Sequence, residues 1–465
     1  MHMFRFAYIL GVYCCLAFTT SAQVHINGLS RWPDQQLQIK RLDDYFSGHE
    51  TLLTSVTTDS LGLFQCTIQV QQIERISIRG QYFYTWFYAQ PLQNYTIELP
   101  DAEAYVSGIG NEQEVELLFY KLDTNDINYK ILTFEAWMDE YIADIYQLRD
   151  IRSNEFILKV REFKGETERL YGNETNEFLR DYIKYSVGIT VDNFSVIGGP
   201  TRSDKFEFYL KNDSLNYKQP KQVEYARLFY DQYAYQLELN LRKKAEDALL
   251  HVSAPELVSA LVQDPFIANQ EWAEFVAFQL ISEQESMQRI SRDVAKDLYF
   301  QLQQLSRLPA HQQLASYLIA RMSTLQVGAK CPNIEFDAQH SLFNYKGNYV
   351  YLHFYQPGNQ KCIAELNALK HLQANFGSKL HIITIYPKEK AFTKADERAF
   401  EGAKWDRYAI ASDERIWQLF KIAAMPSYVV LDDLLYVSSM PALGPTPNGR
   451  GDTIERFLMS VIEVH

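Results

Sequence analysis

The spacing of apolar residues changes period twice along this chain, and no other feature restricts its fold as much. Between Gln23 and about Glu103 the period is two. In "FQCTIQV", Phe64, Cys66, Ile68 and Val70 alternate with Gln65, Thr67 and Gln69, the pattern of a half-buried strand, and the turn "DSLG" precedes it. Beyond "SGIGN", around Gly108 and Gly110, the period becomes helical: Phe134, Trp137, Met138, Tyr141, Ile142, Ile145 and Leu148 follow the three-and-four spacing of one helix face. Helical patterns continue to about Leu325, interrupted near "VIGGPTRSD" and "NDSLNYKQP", with no fixed-period repeat.

From Gly328 onward strands and helices interleave. "NYVYLHFYQ", "LHIITIYP", "PSYVVLDD" and "LYVSS" read as strands; Ile363 to Phe376, closed by Gly377, "DERIWQLFKI" and "DTIERFLMSVI" read as helices. The fold class expected is therefore multidomain α+β. A small β-sandwich-like domain spans 23–103, a helical middle region 104–325, and an α/β domain 326–465. At 465 residues the chain exceeds one hydrophobic core of ordinary size, which agrees with a division into two or three.

Residues 1–22 read as a signal peptide. Arg5 supplies the positive start, Phe6 to Phe18 the apolar stretch, and "TTSAQ" a small-residue cleavage site after Ala22. Export follows, and the apolar stretch is shorter than the roughly 20 residues that span a bilayer, so no transmembrane segment is expected. Tyr13 stands before Cys14 and Cys15 where a lipoprotein signal takes a small residue, which argues against lipidation. Cys66, Cys331 and Cys362 remain, too few for a disulfide framework in a chain of this length.

A formal net charge of −13, with no block of Lys or Arg, argues against a nucleic-acid partner. The histidines are scattered, and no nucleotide-binding glycine loop or serine-nucleophile elbow occurs, so neither a metal nor a cofactor is expected. The aromatic run "QYFYTWFYAQ" has two readings, a stacking platform for a sugar or peptide and a strand filling a sandwich core, and the second is favoured. Charged residues of the middle region fall mostly on polar helix faces. "RGD" at Arg450 to Asp452 is short enough to occur by chance, and Asp452 reads as the cap of the last helix. Asn94, Asn173, Asn193 and Asn212 stand in glycosylation sequons.

Three stretches of the C-terminal region carry a resemblance. "GAKCPNIEF", "YLHFYQPGNQKCIAEL" and "AAMPSYVVLD" resemble the entry segment, the strand-loop-helix and the proline segment of the thioredoxin superfamily. The likeness is specifically to the exported TlpA-like thiol-disulfide oxidoreductases, relatives of the AhpC/TSA peroxiredoxins. It implies a thioredoxin-like fold for the C-terminal domain, and the order of the three regions resembles that of periplasmic or envelope proteins of Gram-negative bacteria.

The family carries Cys-x-x-Cys at its helix start. The first thiol, exposed at the helix N-terminus, attacks a disulfide, and the second resolves the mixed disulfide. Alignment on Glu365 and Leu366 puts Cys362 at the resolving position and Asn359 in place of the attacking cysteine. Asn359 can cap the helix with its side-chain oxygen. Lys361 favours a Cys362 thiolate and burial opposes it. His353 stands where thioredoxins place a buried acid; it is either a proton acceptor paired with Cys362 or a satisfied core histidine. Met425 and Pro426 match the cis-proline segment, whose groove pairs with an extended polypeptide in the family. Cys331 is not expected to bridge to Cys362.

The resemblance implies an exported envelope protein with a degenerate redox site, acting as a binding or scaffold module for a polypeptide or envelope partner without dithiol turnover. The alternative is a monothiol oxidoreductase working through Cys362. A peroxidase is a further alternative, opposed by Asn359 in place of a threonine and by Met425-Pro426 where an arginine would stand.

Overall fold

A computed structural model describes residues 22–30, 35–80, 83–99, 113–148, 153–192, 200–323, 325, 327–422, 425–447 and 453–462. Strands come first: β1 (Ala22–Ser30), β2 (Gln36–Leu42), β3 (Glu50–Thr57), β4 (Leu63–Val70), β5 (Glu74–Arg79), β6 (Phe83–Ala89), β7 (Asn94–Leu99), β8 (Gln113–Glu114) and β9 (Leu118–Phe119). They form two sheets, ordered β4-β1-β7-β9 and β3-β2-β5-β6-β8. Val24, Ile26, Ile68 and Ile97 of the first sheet meet Ile39, Ile76, Ile78 and Phe87 of the second in one core.

The two-residue period of β4 is visible as strict alternation of exposed and buried side chains. Gly62 closes the turn into it with φ +81°, and a Cβ there would lie 1.8 Å from the Ser30 carbonyl oxygen, so only glycine fits. The aromatic run divides by the same alternation. Phe83 and Phe87 enter the core, whereas Tyr84 and Trp86 both donate to the Glu114 carboxylate, at 2.7 and 2.6 Å. Arg75 lies over the Trp86 ring and Arg79 over the Tyr84 ring, at 4.4 and 4.7 Å from the centroids.

Sheet pairing continues past the boundary expected at 103. β8 pairs with β6 and β9 with β7. Strands of two residues are too short to show a period, which is why the sequence placed the change of region earlier.

Helices follow: α1 (Ile127–Gln147), α2 (Asn154–Tyr171), α3 (Glu177–Thr190), α4 (Arg202–Tyr209), α5 (Pro220–Phe229), α6 (Leu239–Leu250), α7 (Ala254–Leu261), α8 (Gln270–Ser286), α9 (Arg292–Leu305) and α10 (Pro309–Ser323). Ser153, Asn176, Thr201, Asn269 and Ser291 start α2, α3, α4, α8 and α9 by accepting a first-turn N–H on the side-chain oxygen. On α1, Phe134, Met138 and Ile145 are buried as their spacing predicts.

The sandwich docks on these helices through buried polar contacts. Asn128 exchanges two hydrogen bonds with the Tyr88 backbone, at 2.8 and 2.7 Å, and Tyr95 donates to the α1 cap Asp126 at 2.9 Å. Phe46, from the β2–β3 connection, enters the helical core against Phe275.

The polar-face expectation for the helices has a clear exception. Helix α8 is buried from Trp272 to Ile281, Glu274 included. Its carboxylate accepts from Ser306 and pairs with His311 Nδ1, both at 2.6 Å, and from Gln270 at 2.9 Å. Burial raises the Glu274 pKa, and these hydrogen bonds outweigh it, leaving the group below its ordinary value.

The last region forms one five-stranded sheet, ordered β12-β11-β10-β13-β14. Its elements are β10 (Tyr349–Phe354), α11 (Gln360–Phe376), β11 (Leu380–Pro387), α12 (Lys394–Phe400), β12 (Asp406–Ile410), α13 (Arg415–Leu419), β13 (Ser427–Leu431), β14 (Val437–Ser439) and α14 (Ile454–Ile462). β10, β11 and β12 run parallel; β13 lies antiparallel to β10, and β14 to β13. This is the expected α/β sheet, with two elements the sequence reading missed, α12 and β12, and with α13 shorter than "DERIWQLFKI" suggested. The signal peptide, "SGIGN", "RGD" and Asp452 lie outside the described residues, apart from β1 beginning at Ala22.

Glu274→Ala is expected to destabilise the protein by about 3 kcal/mol, because Ser306 and His311 are left buried and unpaired. Adding His311→Ala should cost less than the sum of the two single changes, in equilibrium denaturation of all three variants.

Candidate functional site

β10 is buried from Val350 to Phe354, so side chains of both parities face apolar surroundings. Val350, Leu352 and Phe354 enter one core; Tyr351, with Tyr355 just beyond the strand, enters the other. The strand delivers the chain to a tight loop, Tyr355–Asn359, where Gly358 has φ +80°. Helix α11 then begins.

Asn359 is the N-cap of α11. Its Oδ1 accepts from the N–H of Lys361 at 2.9 Å and of Cys362 at 3.2 Å. Its Nδ2 donates to the Met425 carbonyl at 3.3 Å. One side chain thus joins the helix start to the Met425–Pro426 segment, where the peptide bond is cis. Pro426 is buried and Met425 half-buried.

Cys362 is 0% exposed. Burial, followed by the nearby carboxylates Glu365 and Asp396, pushes its thiol up to about 12, against a hydrogen bond with the Gln356 backbone and the cation of Lys361. Of the two influences weighed from sequence, burial prevails. At neutral pH the protonated thiol therefore predominates.

His353 is also fully buried, and its contacts follow from strand register. It stands opposite Thr384 on β11 and Tyr428 on β13. Its Nδ1 lies 3.1 Å from Thr384 Oγ1, and its ring stacks on Tyr428 at 5.1 Å between centroids. Thr384 Oγ1 also accepts from Trp405 Nε1 at 2.8 Å, so one hydroxyl links the imidazole and the indole. Nε2 has no hydrogen-bond partner. Burial lowers the His353 pKa to about 3. His353 makes no hydrogen bond to Cys362 among the described residues, and with Nε2 unpaired it is a core histidine satisfied at one nitrogen only.

Cys331 and Cys362 are both free and buried. Cys331 packs in the core that takes Val350 and Leu352, Cys362 in the core that takes Tyr351. Alternate residues of one strand face opposite sides, so the sheet separates the two thiols. Burial holds Cys331 up at about 12 as well.

A residue that sequence reading missed holds the loop. Asp396 on α12 is 0% exposed. It accepts from the Gly358 N–H at 3.0 Å, from the Thr393 N–H at 2.6 Å and Oγ1 at 2.7 Å, and from the Tyr355 hydroxyl. The signal was present: Thr393-Lys394-Ala395-Asp396 is a capping-box spacing, and Thr393 and Asp396 form that box at the start of α12. Behind Cys362, Tyr351, Tyr428 and His353 stack in a column, and Tyr428 donates to the buried Glu365.

No family model matches this chain, and no curated protein matches it. Among solved structures it is similar to the thioredoxin domain of a thiol-disulfide oxidoreductase from Bacteroides vulgatus. Identity is 20%, coverage 25% of this chain and 88% of that one, and the TM-score 0.22. A thiol:disulfide interchange protein from Bacteroides sp. gives 19%, 30%, 91% and 0.25 in the same order. A thioredoxin-like protein from Bacteroides caccae gives 15%, 53%, 93% and 0.27. Among the described residues no helix is long and apolar enough to cross a membrane, and no group of three His, Cys, Asp or Glu is placed to hold a metal ion.

The His353 pKa has a definite sign. A group lowered from 6.5 to about 3 supports the fold above pH 6.5 and withdraws that support as pH falls toward 3. The wild type should lose up to about 1.4 kcal/mol per pH unit more than His353→Phe across that window, in denaturant titrations at stepped pH. Asp396→Ala should lower stability by about 3 kcal/mol and speed amide exchange at Gly358, measured by mass spectrometry.

Proposed function

We propose that the C-terminal α/β region is a thioredoxin-like module that has lost dithiol–disulfide turnover and serves to bind or scaffold a polypeptide partner. The observation that carries this is the state of the helix start. The side-chain oxygen of Asn359 occupies the N–H groups of Lys361 and Cys362, which in the family's arrangement would face an attacking thiolate. The one thiol nearby, Cys362, is enclosed and strongly protonated. On this reading Asn359 replaces the attacking cysteine and Cys362 keeps the resolving position with nothing to resolve. Neutral His353, hydrogen-bonded to Thr384, takes the proton-acceptor position without serving it.

The monothiol and peroxidase alternatives both need a thiolate that a substrate can reach, and burial of Cys362 opposes both. The half-buried Met425 beside Pro426 supports a role in polypeptide binding, since it leaves part of that segment open at the site's edge. Residues 1–22 support export, and the resemblance of the three regions to envelope proteins supports a periplasmic or envelope setting.

Reduction of insulin disulfides by dithiothreitol tests the redox part. The chain from Gln23, its Cys362→Ser variant and Asn359→Cys are compared; the first two should give the uncatalysed rate. Turnover in the wild type that disappears with Cys362 would overturn the proposal. In Ellman titration the native protein should leave all three thiols unreacted and release them in denaturant. The binding part is tested on a peptide array, where Met425→Arg should weaken capture; an array with no bound peptide would sink it.

A further inference from the structure

A second site lies on different elements. A cleft of about 790 Å³ opens between the β4–β5 turn, the start of α3 and the segment joining α4 to α5. That volume falls within the range of small-molecule pockets, about 300–1,000 Å³. Among the described residues the lining is largely polar, and its charged side chains are paired.

Each lysine or arginine in the lining already has a carboxylate. Lys184 Nζ lies 2.5 Å from Asp213, Lys218 Nζ 3.0 Å from Glu74, and Arg180 3.4 Å from Glu177 and 3.9 Å from Asp181. An anionic ligand would have to displace a carboxylate from its cation, and a cationic ligand the reverse. A neutral ligand breaks neither kind of pair.

Six amide side chains line the same cleft: Gln72, Asn176, Asn212, Asn216, Gln219 and Gln222. Asn176 Oδ1 caps α3, Asn216 Oδ1 accepts from the Lys218 N–H, and Gln222 uses both ends of its amide on Asn216, Tyr185 and Ser214. That leaves the whole amides of Gln72 and Asn212 and the amide nitrogens of Asn176 and Asn216 to meet hydroxyl groups. Gln219 is 1% exposed; its Nε2 donates to the Phe178 carbonyl at 2.9 Å, while its Oε1 has no donor. A buried amide oxygen left unpaired is uncommon, and this one is enclosed beneath the lining rather than open to the cleft. Phe178 and Ile73 add half-buried apolar surface to this polar wall.

We propose that this cleft binds a short neutral oligosaccharide, held by its hydroxyl groups on Gln72, Asn212 and the amide nitrogens of Asn176 and Asn216, and by its C–H face on Phe178. The proposal does not depend on Cys362 or on the redox reading.

The full chain is applied to an array of neutral and charged glycans, with a peptide array beside it. Each glycan captured is then titrated by calorimetry into the wild type, Gln72→Ala/Asn212→Ala and Asp181→Asn. Gln72 and Asn212 are exposed and make no hydrogen bond among the described residues, so the double variant should keep the wild-type melting temperature. A neutral oligosaccharide bound by the wild type and weakened about tenfold or more in the double variant supports the proposal. A blank glycan array, capture of charged glycans alone, affinity unchanged in both variants, or displacement of the sugar by a bound peptide would overturn it.

Discussion

The burial of β10 on both faces is the constraint from which the C-terminal region is built. An apolar strand with only one covered face could slip by two residues and keep its core. Here alternate residues feed two separate cores, so a slip of either kind exposes apolar surface or buries the wrong volume. Fixed register puts His353 against Thr384 on one side and Tyr428 on the other, and delivers the Tyr355–Asn359 loop to one place at the sheet's end. The contacts of the site are consequences of that register, and Asp396 and Asn359 only pin what the strand has already positioned.

Asn359 shows how such a site could change its chemistry while keeping its fold. A helix needs its first N–H groups satisfied, and a carboxamide oxygen does so at no cost in charge. The same side chain has a donor left over, which reaches Met425 and ties the helix start to the segment on β13's approach. A cysteine at that position could not make both bonds. Asparagine is therefore a stabilising choice for the loop, and on the proposed reading the stability of the helix start and the loss of the attacking thiol have one cause.

Much of this was legible in the sequence, because much of it is periodic. The alternation of β4, the buried face of α1 and β10 follow from local spacing, whereas the cap at Asn359 came from the family resemblance, spacing alone having started that helix at Ile363 rather than Gln360. What escaped notice was short or non-local. β12 has five residues and begins with two exposed charged ones, Asp406 and Arg407, so it offered no apolar run; α12 has seven residues, two helical turns, and only its capping box could have marked it. Burial of Glu274 depends on His311, and burial of Asp396 on Tyr355, in each case dozens of residues away. No window along the chain contains both partners, so a charge there looks like any solvated charge.

The competition at Cys362 has the same character. Lys361 is its neighbour in sequence, and that adjacency suggests an activated thiol. Yet Lys361 is exposed, and a charge acting through water contributes only about 1 kcal/mol at 4 Å. Removing a thiolate from water costs far more, since burial alone can move a pKa by 3–5 units. Cys362 shares its core with residues of other elements, Tyr428 from β13 and Ile454 from α14 among them, so the burial that decides the outcome is supplied by tertiary packing. Proximity to a helix N-terminus does not by itself activate a cysteine. The cap position is where the N–H groups and solvent meet, and in this chain that position belongs to Asn359.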